Sequence, residues 1–406
     1  MSARRAWRAS AALAVAALSS WGCAALIGAD FDAHLVAATG PDGTSSDSSV
    51  ADDGPSAPDG CNHALVPDKP IDGGGPGDIG FTVALASIDY GDDDTDAGPG
   101  HPKFVSIGYD LDRTCRGMGT PSCKLGPGVG PEGNDGRDNA GGALVYKLKN
   151  LTGGFTAGLG SVQDTSQIQR GSYSLLLRIS GYNGEADDGE LTVEWFAAAP
   201  FAAGKDGGAG AKPRWNGEDD WPVRAGSAVV ASDGGLTSTI LTNRAYVTNH
   251  VLVANIAEGR IVGGSVPFDL VELVVTATVA PTKTEAGAST WTLRGGIVAG
   301  RWKTRDLLAA IPLFKSTNPS LLCPGPSGVI YDAIKGKVCA AADISSNIDL
   351  GASTPCDALS LGMLFESTPV RAPTLIVDFP TSEGGCPPSP QPDTCDTAAA
   401  PDAGKG

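Results

Sequence analysis

Several things are scarce in this sequence. Histidine occurs four times, methionine three times, and aromatic residues make up 6% of 406 positions. Positive charge is outnumbered, with 29 Lys and Arg against 46 Asp and Glu and a formal net charge of −17. A surface that acidic repels phosphate backbones, so no nucleic-acid partner is expected. No GxSxG elbow, HExxH helix or phosphate-binding loop occurs, so the commonest hydrolase and nucleotide signatures are missing. His34, His63, His101 and His250 fall in linker or turn stretches, without an evident nucleophile beside them. No CxxC pair or zinc-type Cys/His spacing is read, and no catalytic residue is assigned. The N-terminal apolar run, Ala9–Leu18, is shorter than the ~20 residues a bilayer span needs.

Glycine is plentiful, at 56 residues, about twice the usual ~7% share. That suits a loop-rich β protein. The clearest pattern lies in Tyr173–Ala199. Tyr173, Leu175, Leu177 and Ile179 alternate on one strand; Leu191, Val193, Trp195 and Ala197 alternate on the next. Such alternation marks strands buried on one face. Gly181, Asn183, Gly184 and Gly189 supply the turn between them. Similar strands are predicted at Phe81–Tyr90, Ala245–Ile256, Leu270–Ala280 and Thr290–Val298, with Asn249-His250 as a two-residue turn. Trp291, Leu293 and Ile297 are expected to face inward. Lys103–Gly108 reads as a short strand, and Ala143–Lys149 as a strand or helical turn. The fold class expected is mainly β, an antiparallel sandwich or jelly roll, over residues 61–300. After Arg301 the pattern turns helical at Lys303–Phe314 and Gly328–Ala341, and Asp357–Leu364 reads as helical or turn-like. Residues 301–380 are therefore expected to form a disulfide-stapled C-terminal cap.

Cysteine usage fixes the compartment. Beyond Cys23 stand Cys61, Cys115, Cys123, Cys323, Cys339, Cys356, Cys386 and Cys395, an even number suited to four bridges outside the cytosol. Short spacing favours Cys115–Cys123 and Cys386–Cys395 as pairs. Residues 1–22 carry Arg4, Arg5 and Arg8, then the apolar run, then Gly22 before Cys23, the order of an export signal. This resembles the lipobox of bacterial lipoproteins, in which a small residue precedes the cysteine that receives lipid. The resemblance implies lipidation at Cys23, a membrane partner through that anchor, and, with Ala24 rather than Asp following, the outer membrane. The alternative is ordinary secretion with cleavage after Ala25. Residues 23–60 are rich in Asp, Ser, Gly, Pro and Ala, a tether holding the domain roughly 30 Å from its anchor. Residues 381–406 return to that composition as a flexible tail. GYDLD at 108–112, GRDNAGG at 136–142, SGYNG at 180–184, AGRW at 299–302 and CDALS at 356–360 together resemble a group of predicted lipoproteins from myxobacteria-like genomes. That resemblance implies one exported unit and carries over no catalytic residue.

Two constellations suggest ligands. Asp110 and Asp112 lie two apart, so an extended backbone aims both carboxylates the same way. Asp135, Asp138 and Asn139 follow in a glycine-rich loop. Calcium takes about six to eight oxygens from such residues, and is the cofactor expected if any is bound. The alternative is turn geometry alone. Asp92, Asp94 and Asp96 imitate an EF-hand start, but Ala97 stands at the glycine position and Lys103 at the terminal Glu position. Trp215, Asp219 and Trp221 combine flat aromatic faces with an acceptor, a recipe for binding sugars; the alternative is that both rings tuck a loop onto the domain. Glu194 and Glu272 are the strand-borne carboxylates a glycosidase would need. The function expected is therefore an exported cell-envelope lipoprotein with a binding or structural role, partnering a glycan or an envelope protein. A carbohydrate-binding or glycan-active enzyme is the alternative.

Overall fold

A computed structural model describes residues 61–115, 121–126, 128–130, 132–133, 135–149, 160–205, 208, 210–263, 266–313, 319–325, 328–347, 351–378, 386 and 393–395. Twelve strands occur among them: β1 Ile79–Asp89, β2 Leu175–Tyr182, β3 Asp188–Ala197, β4 Val223–Arg224, β5 Ala228–Val230, β6 Leu236–Ser238, β7 Ile240–Thr248, β8 Val251–Gly263, β9 Val266–Lys283, β10 Ser289–Lys303, β11 Ala358–Val370 and β12 Ile376–Val377. The α-helices are α1 Ala140–Lys149, α2 Ser161–Gln169, α3 Thr304–Ala310 and α4 Val329–Ala341.

Eight strands close into one antiparallel barrel in the order β1-β2-β3-β7-β8-β9-β10-β11 and back to β1. The expected β class and antiparallel pairing are present. The two stacked sheets of a sandwich or jelly roll are not, because β11 hydrogen-bonds to both β10 and β1 and leaves no sheet edge. That strand takes in all but the first residue of Asp357–Leu364, expected to be helical or turn-like, so part of the region expected as a cap completes the barrel. The chain visits the ring almost in sequence. Helices α1 and α2 are inserted between β1 and β2, strands β4–β6 between β3 and β7, and helices α3 and α4 between β10 and β11.

Alternation dictates which side chains enter the ring. Leu177, Ile179, Val193, Trp195, Leu252, Ala254, Val275, Ala277, Leu293, Met363 and Phe365 share one buried core. An eight-stranded barrel is just wide enough to be filled in this way. Trp195 is fully buried and donates its indole N–H to the Arg260 carbonyl at 2.9 Å. Each such large apolar side chain contributes roughly 1.5–3 kcal/mol by leaving water. Helical residues Leu144, Ile168, Leu307, Leu308, Tyr331 and Val338 continue the same core. Outside, Asn255, Glu258, Thr278 and Arg294 are exposed. Apolar-in and polar-out is the reverse of a membrane-spanning barrel. No helix among the described residues is long and apolar enough to cross a membrane.

Two belts cover the outer wall. Phe201, Trp221, Val223, Ala228 and Leu236 pack against Ala84, Leu176 and Phe196. Tyr109, with Val66 and Leu111, packs against Tyr246, Val253, Val274 and Ala299.

The predicted strands and the central hairpin are present. Asn249 and His250 have φ of 48° and 65°, the left-handed pair that a two-residue hairpin turn requires. Lys103–Ser106 is a 3₁₀ turn rather than a strand, and α1 resolves the open reading at Ala143–Lys149 as helix. Ile297 lies with the outer belt while Val298 enters the core. A register shift between Arg294 and Ile297, where Gly295 has φ 54°, inserts a bulge that flips the alternation.

The cysteines pair as Cys61–Cys115, Cys123–Cys356, Cys323–Cys386 and Cys339–Cys395, with Cα–Cα separations of 5.1–6.2 Å. The short-range pairs Cys115–Cys123 and Cys386–Cys395 are thus overturned. Instead Cys123 ties the Tyr109 belt to the start of β11, and α4 anchors Cys395. Cys23, the tether and most of the tail lie outside the described residues.

Candidate functional site

The acid-rich segment after the 3₁₀ turn crosses the barrel's outer wall and is fastened from below. The Tyr109 hydroxyl pairs with Thr276 Oγ1 at 2.8 Å. Arg301, buried on β10, donates to the carbonyls of Ser345 at 2.6 Å and Leu111 at 2.9 Å, and its Nε lies 3.0 Å from Glu272. This fixes Asp110 and Asp112 beside the loop leading into α1.

Asp110, Asp112 and Asp138 converge, each placing a carboxylate oxygen within 4.8 Å of the others. Every one of them also has a protein donor. Asp110 accepts from His63 Nδ1 and from the Thr114 N–H at 3.2 Å. Asp112 accepts from the Thr114 N–H at 3.0 Å, the Thr114 hydroxyl at 2.7 Å and the Ser122 hydroxyl at 2.7 Å. Arg113, at φ 57°, turns the backbone so that Thr114 points back at both. Asp138 accepts from the Leu111 N–H at 2.8 Å.

Electrostatics follows from burial. Loss of water raises the Asp110 pKa, with His63 opposing the shift. Asp138 is raised well above the carboxylate range, first by burial and then by repulsion from Asp343 and Asp112. Asp343 is held in turn by the Ser360 N–H at 2.9 Å and hydroxyl at 2.6 Å. The cluster could accept a cation, since three carboxylates face one another.

Two of the expected ligands stand apart. The Asp135 side chain is 42% exposed and lies 4.0 Å from Arg137 Nε. Asn139 Oδ1 accepts from the Gly142 N–H at 2.9 Å, capping α1, and from the Gly362 N–H at 2.8 Å, docking that helix on β11. Asn139 is a structural hinge between helix and barrel. Conversely, His63 and Asp343 were not legible as members. They lie 47 and 233 residues from Asp110 in sequence, and the Cys61–Cys115 and Cys123–Cys356 bridges, with the Arg301 hydrogen bonds, bring their segments here.

The tryptophan constellation divides. Trp221 is fully buried, edge-on to Phe201 at 5.2 Å, so it belongs to the outer belt. Asp219 is also buried and accepts from the N–H groups of Arg214 at 2.9 Å and Trp215 at 2.7 Å. It closes a turn in which Trp215 has φ 56° and Gly217 φ 89°. Neither Trp221 nor Asp219 is free for a ligand. Trp215 is half-buried; it stacks obliquely on Trp221 at 5.7 Å and lines a surface groove.

Of the glycosidase candidates, Glu194 is buried against Arg178 and the Ser238 N–H, and Glu272 is taken by Arg301. They serve different elements and share no cleft among the described residues. Comparison with protein-family models, with curated proteins and with solved structures finds no match.

Proposed function

We propose that this chain is an exported, lipid-anchored protein of the cell envelope, acting as a binding or structural module rather than as an enzyme. The observation that supports it most directly is the cysteine arrangement. All eight cysteines from Cys61 onward sit at bridging distance from a partner. Bridges of that density persist in oxidising compartments. The signal-like segment ending at Gly22-Cys23 supplies the route and the anchor, and Ala24 favours the outer membrane. A filled barrel interior supports a surface-acting module, since a carrier would keep a lumen.

The test is metabolic labelling with a fatty acid and mass analysis of the mature N-terminus. A diacylglyceryl cysteine at position 23, lost in Cys23→Ser, is the expected result. An unmodified N-terminus at Leu26 would mean plain secretion.

A calcium-ordered loop is a second reading, favoured by the convergence of Asp110, Asp112 and Asp138. Bound calcium would stabilise the fold by mass action. The melting temperature should then rise in millimolar calcium over chelator; equal midpoints would leave the cluster to its protein donors.

A further inference from the structure

The groove beside Trp215 has a volume of about 570 Å³ and lies outside the barrel wall. One side is the turn Arg214–Gly217, held shut by Asp219. The other is formed by the end of β9, by Thr292 and Arg294 of β10, and by Glu366–Pro369 at the end of β11. It opens to solvent, in contrast to the filled lumen.

Its charge runs against the rest of the molecule. Arg214, Lys283 and Arg294 are exposed at its rim, and none has an ion-pair partner among the described residues. Elsewhere among the described residues Lys149, Arg178, Arg260, Arg301 and Lys335 meet carboxylates, whereas Arg170, Lys212 and Arg244 stand singly and do not gather in one groove. The two carboxylates in the groove are already engaged: Glu285 accepts from Asn216 Nδ2 at 2.7 Å, and Glu366 from the Gly295 N–H at 3.1 Å. The Thr284 hydroxyl oxygen on the same wall is buried without a hydrogen-bond partner. Three cations against two carboxylates leave the groove formally positive in a chain of net charge −17, which favours an anion locally. An indole face beside them suits a ring with an apolar side.

We propose that this groove binds a carboxylate-bearing saccharide, a uronic-acid oligomer. The sugar ring lies against Trp215, and the carboxylates meet Arg294 and Lys283, with Arg214 at the edge. Arginine is the side chain whose fork matches a carboxylate bidentately. The inference rests on the binding role proposed above. Its failure is separable, because lipid labelling at Cys23 reports on export and anchoring alone.

Calorimetric titration of the mature protein with oligogalacturonate tests it, alongside a neutral galactan oligomer of equal length and a polyglutamate peptide. Saturable binding of the uronate is expected, with the neutral oligomer at least about tenfold weaker and steep weakening by salt. Arg294→Ala with Lys283→Ala should weaken uronate binding at least about tenfold, and Trp215→Ala about fivefold or more. Unchanged melting temperatures for the rim variants establish that they fold; should the double variant fail, Lys283→Gln alone takes its place. No binding of the uronate, equal binding of the neutral sugar or of polyglutamate, or affinity indifferent to these substitutions would overturn the proposal.

Discussion

Two charged regions lie on this barrel's outer wall, and they handle charge in opposite ways. Around Asp110, Asp112 and Asp138, like charges are crowded, but each is met by His63, a hydroxyl or a backbone N–H. Around Trp215 the cations are exposed and form no ion pair among the described residues, although Glu285 and Glu366 line the same groove. The first region stitches loops to the wall. The second has charge to offer a ligand. Buried charge that is fully bonded costs much when disturbed, whereas exposed unpaired charge contributes little to folding. Substitutions should therefore separate the two by stability and by binding.

The largest effect is expected from Asp110→Ala, which removes the buried carboxylate that meets His63 Nδ1 and the Thr114 N–H. A loss of about 3 kcal/mol in urea unfolding is predicted; a change below about 1 kcal/mol would make the cluster incidental.

Asp164 on α2 sharpens the contrast, because hydroxyls rather than a cation serve it. Tyr173 donates to it at 2.7 Å, and burial raises its pKa to about 6. The folded state thus holds this proton more tightly than the unfolded chain, whose Asp titrates near ~3.9. Stability from this group is greatest below the unfolded pKa and falls as pH rises to about 6, by on the order of 3 kcal/mol in total. Asp164→Asn should flatten that part of a pH series of urea midpoints, and an unchanged slope would refute the assignment.

Next comes Asp219→Ala, which frees the N–H groups of Arg214 and Trp215. A cost of about 1–3 kcal/mol is expected, together with a red shift in tryptophan emission as the turn opens. Smallest is the stability effect of Arg294→Ala with Lys283→Ala, within about 0.5 kcal/mol. A larger loss would place those cations among the structural charges and erase the distinction.

How much of this was written plainly in the sequence depends on range. Period-two alternation located β1, β2, β3, β7, β8, β9 and β10, because each strand's inward set is local. Ala358–Val370 escaped because Leu359, Leu361, Met363 and Phe365 alternate with Ser360 and Gly362 behind a cysteine and an aspartate, a start that imitates a cap. Missing it hid the closure, since a barrel and a sandwich differ only in whether the last strand meets the first. The Gly295 bulge escaped for a related reason, as one inserted residue inverts the facing of all that follow. Asp110, Asp112 and Asp138 were legible from composition and spacing. Asn139, Trp221 and Asp219 were not separable from ligand residues, because capping, packing and turn closure call on the same chemistry. Disulfide pairing was the least legible, since proximity in sequence favoured partners that the fold keeps apart. Cys123 reaches across 233 residues to Cys356.

The central claim is that an oxidised framework holds a closed β-barrel destined for the envelope. Peptide mapping of the non-reduced mature protein, after blocking free thiols, tests it most directly. The predicted result is no alkylated cysteine among the eight from Cys61 onward, with linked peptides Cys61–Cys115, Cys123–Cys356, Cys323–Cys386 and Cys339–Cys395. Free thiols at these positions, or a Cys115–Cys123 linkage, would contradict it.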